Sequence, residues 1–362
     1  MLQVTRPSLP PLAEYRSLLP RLWRTGMVTN GGPYVRTLER ALQRYLPARH
    51  LVAVANGTLA LQLALRAVGR GQGEVVTTPF TYAATTTALV WEGYVPRFVD
   101  IDRETFNLDP ELVPRQLGPR VVGVLPVEVF GNPAGCRELA RIAREKSRWI
   151  VFDAAHCTGV RTAGRSLFDL GDASTLSFHA TKSFHTFEGG AVATPHRDIA
   201  ARVARLRSFG FEASGDVADP GINAKLTEPA AAMGLVNLRH IERWIRVRRA
   251  RVRLYRDLLA PLGTIEYQRV EAVRPSATYM PILLPTRRSR DRVHDALDKE
   301  GIRTRRYFFP LTSDFSFVPR GLRRRCPVAT EIAGRVLCLP LYHQLTERDV
   351  RRVVAGISRA LA

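Results

Sequence analysis

Lysine is nearly missing from this chain. Only four of its 54 basic residues are lysine (Lys146, Lys182, Lys225 and Lys299); the rest are arginine, set against 33 acids for a net charge of +21. So basic a balance raises nucleic-acid binding as a class. The arginines are nevertheless spread along the sequence, as in RVRRARVR (246–253) and GLRRRC (321–326), with no helix-turn-helix, zinc-finger or aromatic-interleaved basic pattern. The skew reads as the codon bias of a GC-rich genome filling solvated positions. Its functional consequence is a positive field that draws anionic small molecules.

Other absences narrow the class further. The four cysteines (Cys136, Cys157, Cys326 and Cys338) form no CxxC pair and have no histidine at ligand spacing. Neither a disulfide framework nor a metal site is therefore expected, and Cys157 is given no role. No long apolar run offers a membrane span, and the opening MLQVTRPSLPPLAEY has neither a basic nor an apolar leader region, so a cytoplasmic protein is expected. With 362 residues, 45% hydrophobic and 24% charged, the chain has room for a large domain and a smaller one.

What is present is an alternation of strands and helices. Apolar, β-branched runs at 51–55, 74–81, 95–100, 121–130, 150–152, 175–178 and 191–194 are each cut off by polar or glycine-rich punctuation. Helical spacing separates them at 35–46, 59–68, 83–91 and 137–146. The pattern predicts an α/β fold with a mostly parallel central sheet flanked by helices over residues 1–240. A helix at 237–259 leads into a smaller α+β domain, 241–362, with strands at 279–284 and 336–341 and helices from 291 and from about 347. Thr346 with Asp349 resembles a capping box for the last helix.

Residues 149–194 organise the rest. Asp153 and His156 follow one predicted strand; Ser177, His179 and Lys182 follow the next. Ligands of open α/β sheets sit at such strand ends. A carboxylate and a lysine brought together there suit pyridoxal phosphate (PLP), which needs an anion under its ring nitrogen and an amine at its aldehyde. Asn56-Gly57-Thr58 opens a helix whose first amides can hold a phosphate.

The blocks Asp153-Ala154-Ala155-His156, Ser177-Phe178-His179-Ala180-Thr181-Lys182 and Glu188-Gly189-Gly190 resemble the core motif of the PLP-dependent sugar aminotransferases, the DegT-like branch of fold type I. The resemblance runs from Pro10 to Leu361. It is closest to the members that aminate C4 of a dTDP-4-keto-6-deoxyhexose, through Val54 to Thr58, Ala88 to Gly93 and Asn223-Ala224-Lys225. It implies that Lys182 forms the Schiff base, Asp153 holds the pyridinium nitrogen and His156 sits near the ring oxygen. Gly57, Thr58 and Ser177 would bind the phosphate, and Tyr82 would stack on the ring. Asn223 would reach a partner's phosphate in a homodimer with shared sites. Thr29, Asn30, Lys225 and Tyr307 would neighbour the substrate. L-glutamate is the implied amino donor and a nucleotide-linked keto-sugar the acceptor, with C3 amination as an alternative. Arg303, Arg305 and Arg306 are candidates for anionic groups, or else a solvated face. The family often has His where this chain has Glu128, which leaves that residue's role open. Related dehydratases replace the lysine by His, so Lys182 argues against them. A non-catalytic regulatory relative would be expected to have lost Asp153 or Lys182. A nucleic-acid-binding protein on an inactive scaffold is the alternative from a different class, which salt-sensitive binding of a DNA probe would support.

Overall fold

The computed structural model describes residues 1–69 and 72–362. Strands β1 (His50–Val54), β2 (Glu74–Thr77), β3 (Val95–Phe98), β4 (Val121–Leu125), β5 (Trp149–Asp153), β6 (Ala173–Ser177) and β7 (Gly190–Thr194) form one seven-stranded sheet in the order β1-β7-β6-β5-β4-β2-β3. From β3 to β6 all neighbours are parallel, and β7 alone runs against β6 and β1. Helices α1 (Leu12–Arg16), α2 (Leu19–Thr25) and α3 (Pro33–Tyr45) precede the sheet. Then α4 (Gly57–Val68), α5 (Ala83–Trp91) and α6 (Cys136–Glu145) alternate with its strands, and α7 (Arg197–Leu206) follows β7. The central strands β6 and β7 are buried along their whole length, as strands covered on both faces must be.

Several expected strands are shorter than their apolar runs, two of them by four residues or more. The 121–130 run leaves the sheet after Leu125, because Pro126 has no N–H for the ladder. Pairing resumes locally: Asp153 N–H donates to Pro126 O (2.9 Å) and Glu128 N–H to Asp153 O (3.0 Å). The end of β5 is thereby pinned at Asp153. The 74–81 run ends at Thr77, and the following residues turn into α5.

The helix expected at 237–259 starts earlier: it is one 32-residue helix, α8 (Glu228–Leu259), with Thr227 as its N-cap. Small residues at its start allow close packing: a Cβ on Gly234 would come within 2.7 Å of Thr186. Buried Glu228 accepts from the Tyr34 and Val35 amides, each at 2.8 Å, which ties the start of α3 to α8. Further along, Tyr255 and Leu259 of α8 join a second core with strands β8 (Met280–Leu283) and β9 (Val336–Leu339), an antiparallel pair. That core is closed by α9 (Arg287–Lys299) and α11 (Glu347–Leu361), with α10 (Pro327–Arg335) beside it. Helix α9 starts before the expected 291 because Thr286 and Ser289 form a capping box. The box expected at Thr346 and Asp349 is present. Asp100, after β3, caps α10 through the Val328 and Ala329 amides (2.9 and 2.8 Å), tying α10 to the end of β3.

Candidate active site

A cavity of about 690 Å³ opens where β5, β6 and the β2–α5 turn end and α4 begins. Gly57, Thr58, Tyr82, Asp153, His156, Ser177, Lys182 and Tyr307, all singled out in the sequence, line it together. Strand register explains the convergence: β5 and β6 are parallel neighbours, so their last residues, Asp153 and Ser177, emerge at the same edge.

The N-terminus of α4 forms one wall. Asn56 caps it, its Oδ1 accepting from the Leu59 amide at 2.9 Å. A Cβ on Gly57 would lie 2.9 Å from Ser177 Cβ, so glycine is what lets the helix start close on β6. Likewise a Cβ on Gly190 would meet the Asn56 backbone at 2.6 Å. Free amides, the positive end of a helix dipole and the Thr58 and Ser177 hydroxyls make this corner fit a phosphate.

Asp153 is 5% exposed and held by two donors: Thr85 Oγ1 at 2.7 Å and the Ala155 amide at 3.2 Å. Thr85 accepts in turn from Thr81, at 2.7 Å. Burial pushes the Asp153 carboxyl above its ordinary range, while the Thr85 hydroxyl, the Ala155 amide and Lys182 pull it back. Its remaining acceptor capacity suits a protonated ring nitrogen.

Lys182 sits in a turn pinned by Lys182 N–H to His179 O (2.9 Å), Phe178 N–H to Gly189 O (2.7 Å) and Thr186 N–H to Phe178 O (3.0 Å). Its Nζ lies 5.7 Å from the Tyr279 ring centre. Burial lowers its pKa to about 8; Asp153 opposes that shift and Arg305 adds to it. His156 is buried with its ring 4.9 Å from Tyr279, edge to face. Burial, and then Lys182, depress its pKa well below the usual range, so the ring is neutral. The donor set, the glycine-lined cradle and the amine together fit PLP.

Not every expected residue converges here. Asn223 is exposed and Lys225 places Nζ 4.7 Å from the Phe209 ring centre; neither lines this chain's cavity. Thr29 and Asn30 also stand outside it, in the turn that Glu228 clamps to α8. Glu128 faces away, fully buried, accepting from the Cys136 thiol at 2.8 Å. Arg303 and Arg306 are paired with Asp298 and Asp291, whereas Arg305 lines the cavity. Sequence reading passed over Thr81, Thr85 and Tyr279. The one legible signal was the threonine-rich start of α5, which the resemblance had not singled out.

A model of the DegT/DnrJ/EryC1/StrS aminotransferase family matches residues 13–358. The chain is 37% identical over 359 residues to the dTDP-4-amino-4,6-dideoxy-D-glucose transaminase of Escherichia coli, an alignment covering 97% of this chain and 96% of that one. Among solved structures, DesI, crystallised in the presence of its TDP-sugar product, superposes with a TM-score of 0.94 at 37% identity, covering 99% of this chain and 93% of that one. NtdA from Bacillus subtilis with bound cofactor PMP superposes with a TM-score of 0.90 at 26% identity, covering 98% and 83%.

Proposed function

The chain belongs to the DegT/DnrJ/EryC1/StrS aminotransferase family, whose members depend on PLP, and on that premise we propose its donor, its acceptor and its assembly. The amine comes from L-glutamate and goes to C4 of a dTDP-linked 4-keto-6-deoxyhexose, giving an amino-deoxysugar. The carrying observation is the single cavity that joins Lys182, Asp153 and the α4 amide cradle. The near full-length likeness to a dTDP-4-amino-4,6-dideoxy-D-glucose transaminase supports the acceptor.

When bound, PLP supplies an electron sink that lets a proton leave the carbon bearing the amine. Gly57, Thr58 and Ser177 hold its phosphate, and Tyr82 covers the ring. Asp153 keeps the proton on the pyridine nitrogen. Neutral His156 offers a hydrogen bond at the ring oxygen. Lys182 Nζ would anchor the cofactor and, as a free amine, would take a proton from the substrate carbon that bears the nitrogen. With a pKa of about 8 it gives and takes that proton near neutrality, which general acid–base work requires.

The working unit is a cytoplasmic homodimer. Phe187, Phe209, Phe211 and Ile222 are large apolar side chains left in solvent, and exposed Asn223 lies next to Ile222. Such surfaces on a soluble chain favour a partner, and a second copy would bring its Asn223 to the phosphate.

The test is the visible spectrum of PLP-loaded protein before and after L-glutamate, with Lys182→Ala as control. A cofactor band that bleaches with glutamate and is absent in the variant supports the reading. A wild-type band unmoved by glutamate overturns the donor.

A further inference from the structure

We propose that Arg305 binds the α-carboxylate of the amino donor, an assignment that rests on the glutamate-dependent reading above. Three arginines stand close together at 303, 305 and 306. Arg303 is engaged by Asp298 and Arg306 by Asp291, so the outer two each face an acid. Among the described residues Arg305 is the one arginine lining the cavity, and it has no acidic partner there.

Its position is built rather than incidental. The Arg305 backbone bridges Cys338 of β9 in both directions, at 3.1 and 2.7 Å, which fixes the base of the side chain. The guanidinium donates to the Tyr307 hydroxyl and lies over that ring, 5.4 Å from its centre. Tyr307 meets Tyr279 edge-on at 5.6 Å, and Tyr279 lies under Lys182 Nζ at 5.7 Å. A short aromatic chain thus links an unpaired, permanently charged fork to the wall of the cavity that also holds the Lys182 amine. Arg305 also helps to depress the Lys182 pKa.

Ligand chemistry chooses between the anions that enter this cavity. An amino acid's α-carboxylate is only two bonds from its amine, so a cation near Lys182 meets it whenever the amine is placed for transfer. The diphosphate of a sugar nucleotide lies on the far side of the sugar ring from C4. The cofactor phosphate has its own amides at α4. A planar guanidinium matches a carboxylate with paired hydrogen bonds, which Lys cannot reproduce.

The two half-reactions separate these readings. In PLP-loaded Arg305→Gln, the glutamate concentration for half-maximal bleaching should rise roughly ten- to a hundred-fold, as expected for a lost charge-assisted bond. Arg305→Lys should recover part of that loss. The inhibition constant of succinate, an unreactive dicarboxylate competing with glutamate, should rise in parallel. Cofactor affinity, thermal midpoint and the sugar-nucleotide concentration dependence of the second half-reaction should stay within about two-fold or a few degrees. A variant with unchanged glutamate dependence, or one impaired only toward the sugar nucleotide or PLP, overturns the assignment. Wild-type enzyme indifferent to glutamate defeats the donor reading instead, and the two failures are thereby told apart.

Discussion

At the scale of single residues, the site depends on side chains that control protons from behind. Thr85 donates to Asp153 while accepting from Thr81, so the carboxylate is held by a buried hydroxyl relay. Thr85→Val removes a contact that lowers the Asp153 pKa, and the carboxyl rises further. The acid limb of kcat/KM should therefore shift to higher pH, with roughly a ten-fold loss at neutrality; an unmoved limb would show that Thr85 only packs. Glu128 makes a different prediction. Burial raises its pKa from 4.5 to about 8, with Asp153 adding and the Cys136 thiol opposing. The unfolded chain gives up this proton first, so the group's stabilising contribution is full below about pH 4.5 and is lost as pH rises through 8. Glu128→Gln, which keeps an acceptor for Cys136, should leave urea unfolding near pH 4 unchanged and raise stability at pH 9. Equal midpoints at both pH values would refute the buried-acid assignment.

At the scale of elements, what matters is how closely α4 meets β6. An added Cβ at Gly57 would stand 2.9 Å from Ser177 Cβ and 3.1 Å from its Oγ, so Gly57→Ala must push apart the two groups proposed to hold the phosphate. Overpacking costs on the order of 1–3 kcal/mol. We expect the thermal midpoint to fall by a few degrees, and PLP affinity to drop more than ten-fold by fluorescence titration. A fall in stability alone would mean that this helix start is structural. The Asn56-Gly57-Thr58 turn was legible in sequence because turn chemistry and a helix start lie within three residues. The continuity of α8 was not. The helix expected at 237–259 is continuous back to Glu228, held there by packing on α3 and the Glu228 clamp.

At the scale of the whole molecule, the expected partner is a second copy of the chain. Mixing Lys182→Ala with Asn223→Ala subunits, under conditions that exchange protomers, should restore activity at limiting PLP. Each mixed dimer then contains one site with both residues intact. No recovery, with exchange verified, would mean that Asn223 serves its own chain. The strand–helix alternation of the sheet, the polar clusters at strand ends and the Asp153, Lys182 and Gly57 blocks were legible in sequence alone, because propensity, period and short spacing act locally; helices α1, α2 and α10 were not. Tertiary structure decided the rest. Thr85 reaches Asp153 across 68 residues and Glu228 reaches Tyr34 across 194, and no local pattern encodes such pairings. The same holds for the three neighbouring arginines, identical in type. Two are turned toward acids and one into the cavity, because only folding settles which charge finds a partner and which is left for a ligand.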